Sequence, residues 1–588
     1  MYQNKYFVTK DSGTYSETLE TYGLAKILSH IFDNNKIDNV NIKIKDEGAY
    51  YSVSSNINIT EKMVKNTNYF VFPYIKIKTD KNRDLSGQII YYENEKEKRD
   101  IFKKRRDEIY HKERDKNKQA RLLAELEKPH PDFDIFSKIR DPKNITGYHK
   151  ILNNVYKNRK QYHLILKEIL LLYSLPLNNE ENVKEDLKNL SKQYNLNFDK
   201  ITALQIFNPH QGKGVNFPKS NSIALSNISS FWIKEYLKII GIYNSMVIKD
   251  IKVSNKDWDT KYYVIEPFNI EYTRLSTIYK NFKPLVVGNK PFKMDIIAIL
   301  YYTKNLIEFL PEYQNMRPSF SKRLNPQNLV QGFKTAYQKN MGQNKSIANI
   351  GYLKLPKFIE IGSYEEGKKW IKILNNHLEI MKQIKEENSS TTSLLQHYRQ
   401  FLSAGNWDEF FEFNFDYASL LTEDIDRKKT DKRKMYLKTF TVKNLREVFM
   451  TEERFKPILE SQGFQNIAKA IRNSTIGAQY AKVKGDKRFD VHYGVAQNLK
   501  RKSPYKRDLV EYLSEFIALY NAETARYVEK HPQDFTSGKV RATVKTEDMK
   551  DIIELIDKYG PSVVGKLLTA YGYALERKEE ITKNSKIK

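Results

Sequence analysis

The chain has 588 residues, too many for one hydrophobic core, so two to four domains are expected. Its 100 Lys and Arg against 72 Asp and Glu give a net charge of +28, which suits a polyanionic partner. It has no Cys, which excludes disulfides, thiolate zinc sites and cysteine nucleophiles.

Taken in order, Leu19, Tyr22, Leu24, Ile27, Leu28 and Ile31 recur at helical spacing and predict a first helix ending near Asp33-Asn34-Asn35. Two runs of period two, from Val40 and from Ala49, flank Asp46-Glu47-Gly48 and predict a hairpin. Glu93–Lys128 is dense in both charges and reads as one surface helix, with Lys103-Lys-Arg-Arg106 as its most basic patch. Helices are expected over 147–177 and 183–196. No apolar run is long enough for a bilayer: even Leu164–Leu177 is interrupted by Lys167 and Glu168. The first residues lack the apolar core of a signal peptide, so a cytoplasmic protein without a membrane partner is expected.

Phe207–Lys219 concentrates special-purpose residues. Pro209 and Pro218 fix φ at either end, and Gly212 and Gly214 open backbone angles closed to other residues. Asn208, His210, Gln211, Lys213, Asn216 and Lys219 can all donate hydrogen bonds to an acceptor-rich ligand. A nucleotide-binding P-loop is excluded: Phe207 stands where its first Gly belongs, and Gly214 follows Lys213 where Ser or Thr is required. A helix over 228–242 follows the loop, and 249–267 alternates like strand.

Further helices are predicted over 294–310, 367–385 and 394–402. The highly charged run around Asp424–Lys434 reads as a linker, giving a mixed α/β region over 1–425, a linker over 426–435 and an all-α bundle of about five helices over 436–588. The expected class is α+β. Within the bundle, Arg472, Asn473, Tyr480, Lys482, Lys484, Lys487, Arg488, Lys500, Arg501, Lys502 and Arg507 mix cations with an aromatic ring, as a groove that follows a single strand requires.

Three features together resemble the large subunit of Cascade, the type I CRISPR RNA-guided DNA surveillance complex, in its I-A and I-B branches. They are the early helix Tyr15-Ser-Glu-Thr-Leu-Glu-Thr-Tyr-Gly-Leu, the loop Asn208–Lys219 leading into Phe231-Trp-Ile-Lys-Glu-Tyr-Leu, and the order of a mixed region before a helical bundle. The resemblance implies that the loop contacts a short protospacer-adjacent duplex through Asn208, His210, Gln211, Gly212, Lys213, Gly214, Asn216 and Lys219, while an RNA guide reads the rest. It implies that the bundle resembles the small subunit and holds the displaced single strand. The implied partners are target duplex, displaced strand, CRISPR RNA, the backbone and small subunits, and a recruited helicase-nuclease; no cofactor is implied. It further implies an internal translation start at Met450, with Met435 as the second choice. The Cys-x-x-Cys pairs of some relatives are absent, so no zinc ribbon carries over.

Catalysis has little to stand on. Neither His-Asp nor Gly-Gly occurs, and the ten His show no metal-binding spacing. A non-catalytic subunit that promotes R-loop formation is the expected function. The alternative is a metal-dependent nuclease or other nucleic-acid-processing enzyme built from distant carboxylates, and a ribonucleoprotein-packing protein is the third reading.

Overall fold

The computed structural model describes residues 1–71, 73–78, 88–177, 179–211, 229–315, 323–342, 344–428, 437–536 and 540–576. The fold is α+β, with strands early and helices alone late. The chain forms two compact units, Met1–Pro291 with Gln327–Lys354, and Phe292–Pro326 with Leu355–Lys588.

In the first unit, one antiparallel sheet has the spatial order Lys5–Thr9, Tyr50–Ser55, Ile42–Asp46, Asn269–Glu271. The expected hairpin lies at its centre, and Gly48, at φ +87°, makes the turn. The second sheet runs Asn344–Lys354, Val330–Met341, Trp258–Pro267, Met246–Lys252, all antiparallel.

Against these sheets lie two buried helices, Ser16–Asn34 and Trp232–Ser245. Their backbones touch. A Cβ on Gly23 would sit 2.0 Å from the carbonyl oxygen of Leu237, and one on Gly241 would sit 2.0 Å from that of Leu19. Only glycine allows that approach. The first helix is also tied to the second sheet: Thr18 Oγ1 donates to Glu266 Oε2 (2.9 Å), the Tyr51 hydroxyl donates to Oε1, and Lys334 Nζ stands 3.3 Å from Oε1.

The second unit is helical and aromatic at its centre. Phe401 and Phe410 stack with ring centroids 4.1 Å apart, and Trp407, Phe411, Phe449 and Phe455 pack around them. Dispersion across so many close ring contacts, added to burial, holds these helices together.

Three expectations are corrected. The domain boundary falls at Pro291 rather than 425: Phe292–Pro326 and everything from Leu355 onward form one unit with the C-terminal helices, in which Ser389–Ala404 packs on Trp407–Lys428 and Tyr364–Gln383 on Val442–Phe449. The linker is not one from its start: Trp407–Lys428 stays helical through Asp424–Lys428, with Phe410, Phe413, Tyr417, Leu421 and Ile425 buried, and 429–435 lies outside the described residues. The final stretch holds nine α-helices among the described residues rather than about five, since the break ahead of Pro457 and the one at Thr475 cut it into short pieces.

Candidate nucleic-acid interface

The stem of the Phe207–Lys219 loop is described and its tip is not. Gly212, Lys213, Gly214, Asn216 and Lys219 lie outside the described residues. In the stem, Phe207 and Asn208 are fully buried.

Asn208, only 2% exposed, is therefore corrected from duplex contact to anchor. Its Oδ1 accepts from Lys238 Nζ (2.7 Å) and Ser16 Oγ (3.0 Å). Its Nδ2 donates to both oxygens of Glu235 (3.0 and 3.1 Å) and to the Leu204 carbonyl (3.0 Å). One short amide thus satisfies a buried ammonium and a buried carboxylate at once, and it does so where the two glycine-paired helices meet. Lys238 also contacts Glu235 directly at 3.1 Å. Burial opposes its charge, but Glu235 and Glu20 outweigh that and its pKa is raised, so it stays an ammonium. Burial raises the pKa of Glu20 against the pull of Lys234 and Lys238, and the Tyr173 hydroxyl donates to it at 2.6 Å.

His210 and Gln211 sit half-buried at the edge of this network. His210 Nδ1 lies 3.3 Å from Thr14 Oγ1, and burial lowers its pKa below the usual 6.5, so the ring is neutral at pH 7. Gln211 N donates to the Asn208 carbonyl (3.0 Å), and its Oε1 is buried without a hydrogen-bond partner among the described residues.

In the second unit the basic set divides. Arg472 is 6% exposed and is corrected from strand contact to structural clamp: Nε donates to the Ala574 carbonyl (2.6 Å), one terminal nitrogen donates to the Tyr571 carbonyl (3.0 Å), and the other faces Glu576 (3.1 Å). It thereby ties the carbonyls ending helix Pro561–Gly572 to helix Gln462–Ser474. Asn473 is half-buried and reaches the Tyr520 hydroxyl at 3.4 Å; Tyr480 is half-buried as well.

Several surface cations are already paired. Arg488 holds Asp486 through two nitrogens (2.9 and 2.6 Å), Lys500 bridges Glu412 (2.7 Å) and Asp416 (3.2 Å), Arg501 donates to Asn498 (3.1 Å), and Lys502 stands 3.9 Å from Asp508. Lys482, Lys484, Lys487 and Arg507 are exposed and have no ion pair among the described residues. The first three follow one another across the end of helix Ile476–Val483 and the turn at Gly485. Sequence reasoning missed Tyr505, 68% exposed at the start of helix Lys506–Lys530.

No family model matches the chain, and no curated protein matches it. Among the described residues no three His, Asp or Glu side chains stand together as metal ligands, and no helix is long and apolar enough to cross a membrane. The surface helix Tyr92–Lys112 carries Lys104 and Arg105 exposed, whereas Arg99 and Arg106 pair with their neighbours Asp100 and Asp107. Met450 caps helix Val442–Phe449, whose Phe449 stacks on Phe411 with centroids 5.6 Å apart, so a product begun at Met450 would lack a helix of this core.

Proposed function

We propose that this chain is a nucleic-acid-binding subunit of a CRISPR RNA-guided DNA surveillance complex, acting without catalysis: it inspects the duplex beside the target, favours strand separation and steadies the displaced strand. Recruitment of a helicase-nuclease and a place among backbone and small subunits belong to the same proposal. The observation that carries it is the run Lys482, Lys484, Lys487, exposed and without ion pairs among the described residues, in a chain of net charge +28. Ammonium groups with no internal partner retain their full attraction for phosphates, and each phosphate they neutralise releases condensed counterions. The anchored stem supports the second half of the reading. The base of that loop is held by Asn208 between two touching helices, which fixes where the chain enters it.

The test is target selection by the assembled complex from duplexes with a randomised flanking sequence, comparing the native chain with Lys213→Ala/Asn216→Ala. The proposal expects a defined flanking motif that the double variant loses while assembly persists. The same flanking preference in both would remove the loop from the account, and no preference in either would remove duplex inspection.

A further inference from the structure

Trp258 is the most exposed of the four tryptophans, at 41%, with Trp232 and Trp370 at 6% each. It opens the strand Trp258–Pro267 at the end of a hairpin whose other arm is Met246–Lys252. The tip is tightly made: Val253 N and Ser254 N both donate to the Asp257 carbonyl (3.0 and 3.2 Å), and Ser254 Oγ donates to the Asp257 carboxylate (2.7 Å). Lys252 N also donates to the Asn289 carbonyl (2.9 Å), which fastens a second loop beside the hairpin. Val253 and Val287, 58% and 61% exposed, stand on these two loops.

Charge decides what such a patch can receive. Lys252 is the cross-strand partner of Trp258, so the two side chains share a face about 5 Å apart at Cβ. Lys256 is exposed at the tip. Neither lysine has an ion pair among the described residues. Of the acids nearby, Asp250, next along the face, is neutralised by Lys138 (2.5 Å), whereas Asp259 accepts from the Tyr337 hydroxyl (2.7 Å) and Asp257 from Ser254 Oγ, and both keep their negative charge; Asp259, one residue on from Trp258, belongs to the opposite face of the strand. An indole beside free ammonium groups, on a hairpin with few internal degrees of freedom, matches a flat apolar ring linked to a phosphate.

We infer that the Val253–Trp258 hairpin is a stacking site for an unpaired nucleobase of a nucleic-acid strand, with Lys252 and Lys256 holding the adjoining phosphates. The site uses none of the residues of the loop or of the basic run in the second unit. It rests on the proposed function only in requiring that the chain bind nucleic acid. A protein partner is the other class of occupant, and it is disfavoured because Lys252 and Lys256, neither with an ion pair among the described residues, flank the exposed indole.

Tryptophan emission reads this site selectively, because stacking against a base quenches the exposed indole. Titration of the full chain with oligo(dT) and oligo(rU) is expected to quench emission in step with binding followed by anisotropy of a labelled oligonucleotide. Trp258→Phe should remove the quench while keeping most of the affinity, and Trp258→Ala should weaken binding about 10-fold, within the ~5- to 150-fold that loss of one stacked base brings. Lys252→Ala/Lys256→Ala should weaken binding and lower its salt dependence with the quench intact at saturation. Stronger quenching by one of the two oligonucleotides identifies the strand. Binding without any change in emission would overturn the stacking site and leave the proposed function standing. No binding to either oligonucleotide or to duplex would overturn both.

Discussion

Replacing Asn208 with Ala tests whether that side chain is an anchor. The amide is 2% exposed and makes charge-assisted bonds to Lys238 (2.7 Å) and Glu235 (3.0 Å). Each such bond contributes about 2 kcal/mol when its buried partner is left without a substitute. Lys238 and Glu235 still contact each other in the variant, which prevents a larger loss. The sum is about 4 kcal/mol, and at about 2 °C per kcal/mol for a unit of this size the melting transition of the first unit should fall by about 8 °C. Differential scanning calorimetry at pH 7 reads that transition directly, and anisotropy on a labelled duplex at a temperature where both proteins are folded reads binding. The anchor reading expects a large thermal shift with the salt slope of binding unchanged. A shift below about 1 °C together with a clear loss of duplex affinity would falsify it and return Asn208 to the DNA.

Three further outcomes follow from other residues. Gly23→Ala or Gly241→Ala places a methyl 2.0 Å from a carbonyl oxygen of the facing helix, so each should destabilise the first unit by ~3 kcal/mol or more, measured by urea unfolding; a neutral result would mean the helices can separate freely. Glu168 is fully buried, neither oxygen has a hydrogen-bond partner among the described residues and Lys167 Nζ stands 3.9 Å away, and burial raises its pKa from the ordinary 4.5 to about 7. The folded state therefore binds the extra proton between those values and stability falls as pH rises through them, so Glu168→Gln should match the native chain near pH 4.5 and exceed it by up to about 3 kcal/mol at pH 8; equal stability at pH 8 would show the carboxylate to be solvated. Lys482→Ala/Lys484→Ala/Lys487→Ala should reduce the slope of log affinity against log salt by roughly 2 to 3 with no change in melting, and an unaltered slope would show that strand contact lies elsewhere.

Much of the first unit was legible because its elements obey simple periods. The stripe from Leu19 to Ile31 buries one helix, and the alternation around Asp46-Glu47-Gly48 gives a hairpin. What escaped was long-range. Residues 327–354 return to complete the second sheet, and no local pattern reveals that Val330–Met341 pairs with Trp258–Pro267. The predicted helix over 147–177 breaks at Asn158, whose side chain bonds to the carbonyls of Asn154 (2.7 Å) and Asn197 (3.0 Å) instead of continuing the helix. Charge was read well as composition and poorly as position. Arg472 and Asn208 have the chemistry of ligand contacts, yet each is spent inside on groups from distant parts of the chain, whereas Lys482, Lys484 and Lys487 are exposed without ion pairs among the described residues. Trp258 looked like an ordinary strand residue because exposure at a hairpin end depends on what packs beside it.

The central claim is that the chain holds nucleic acid and does no chemistry on it. Incubation of purified protein with an end-labelled duplex bearing a single-stranded tail, in Mg²⁺ or Mn²⁺, measures binding and cleavage in one gel. The account predicts a salt-sensitive complex from which the labelled strands are recovered at full length. Shortened strands whose appearance is abolished by a single Asp→Asn or Glu→Gln substitution would contradict it.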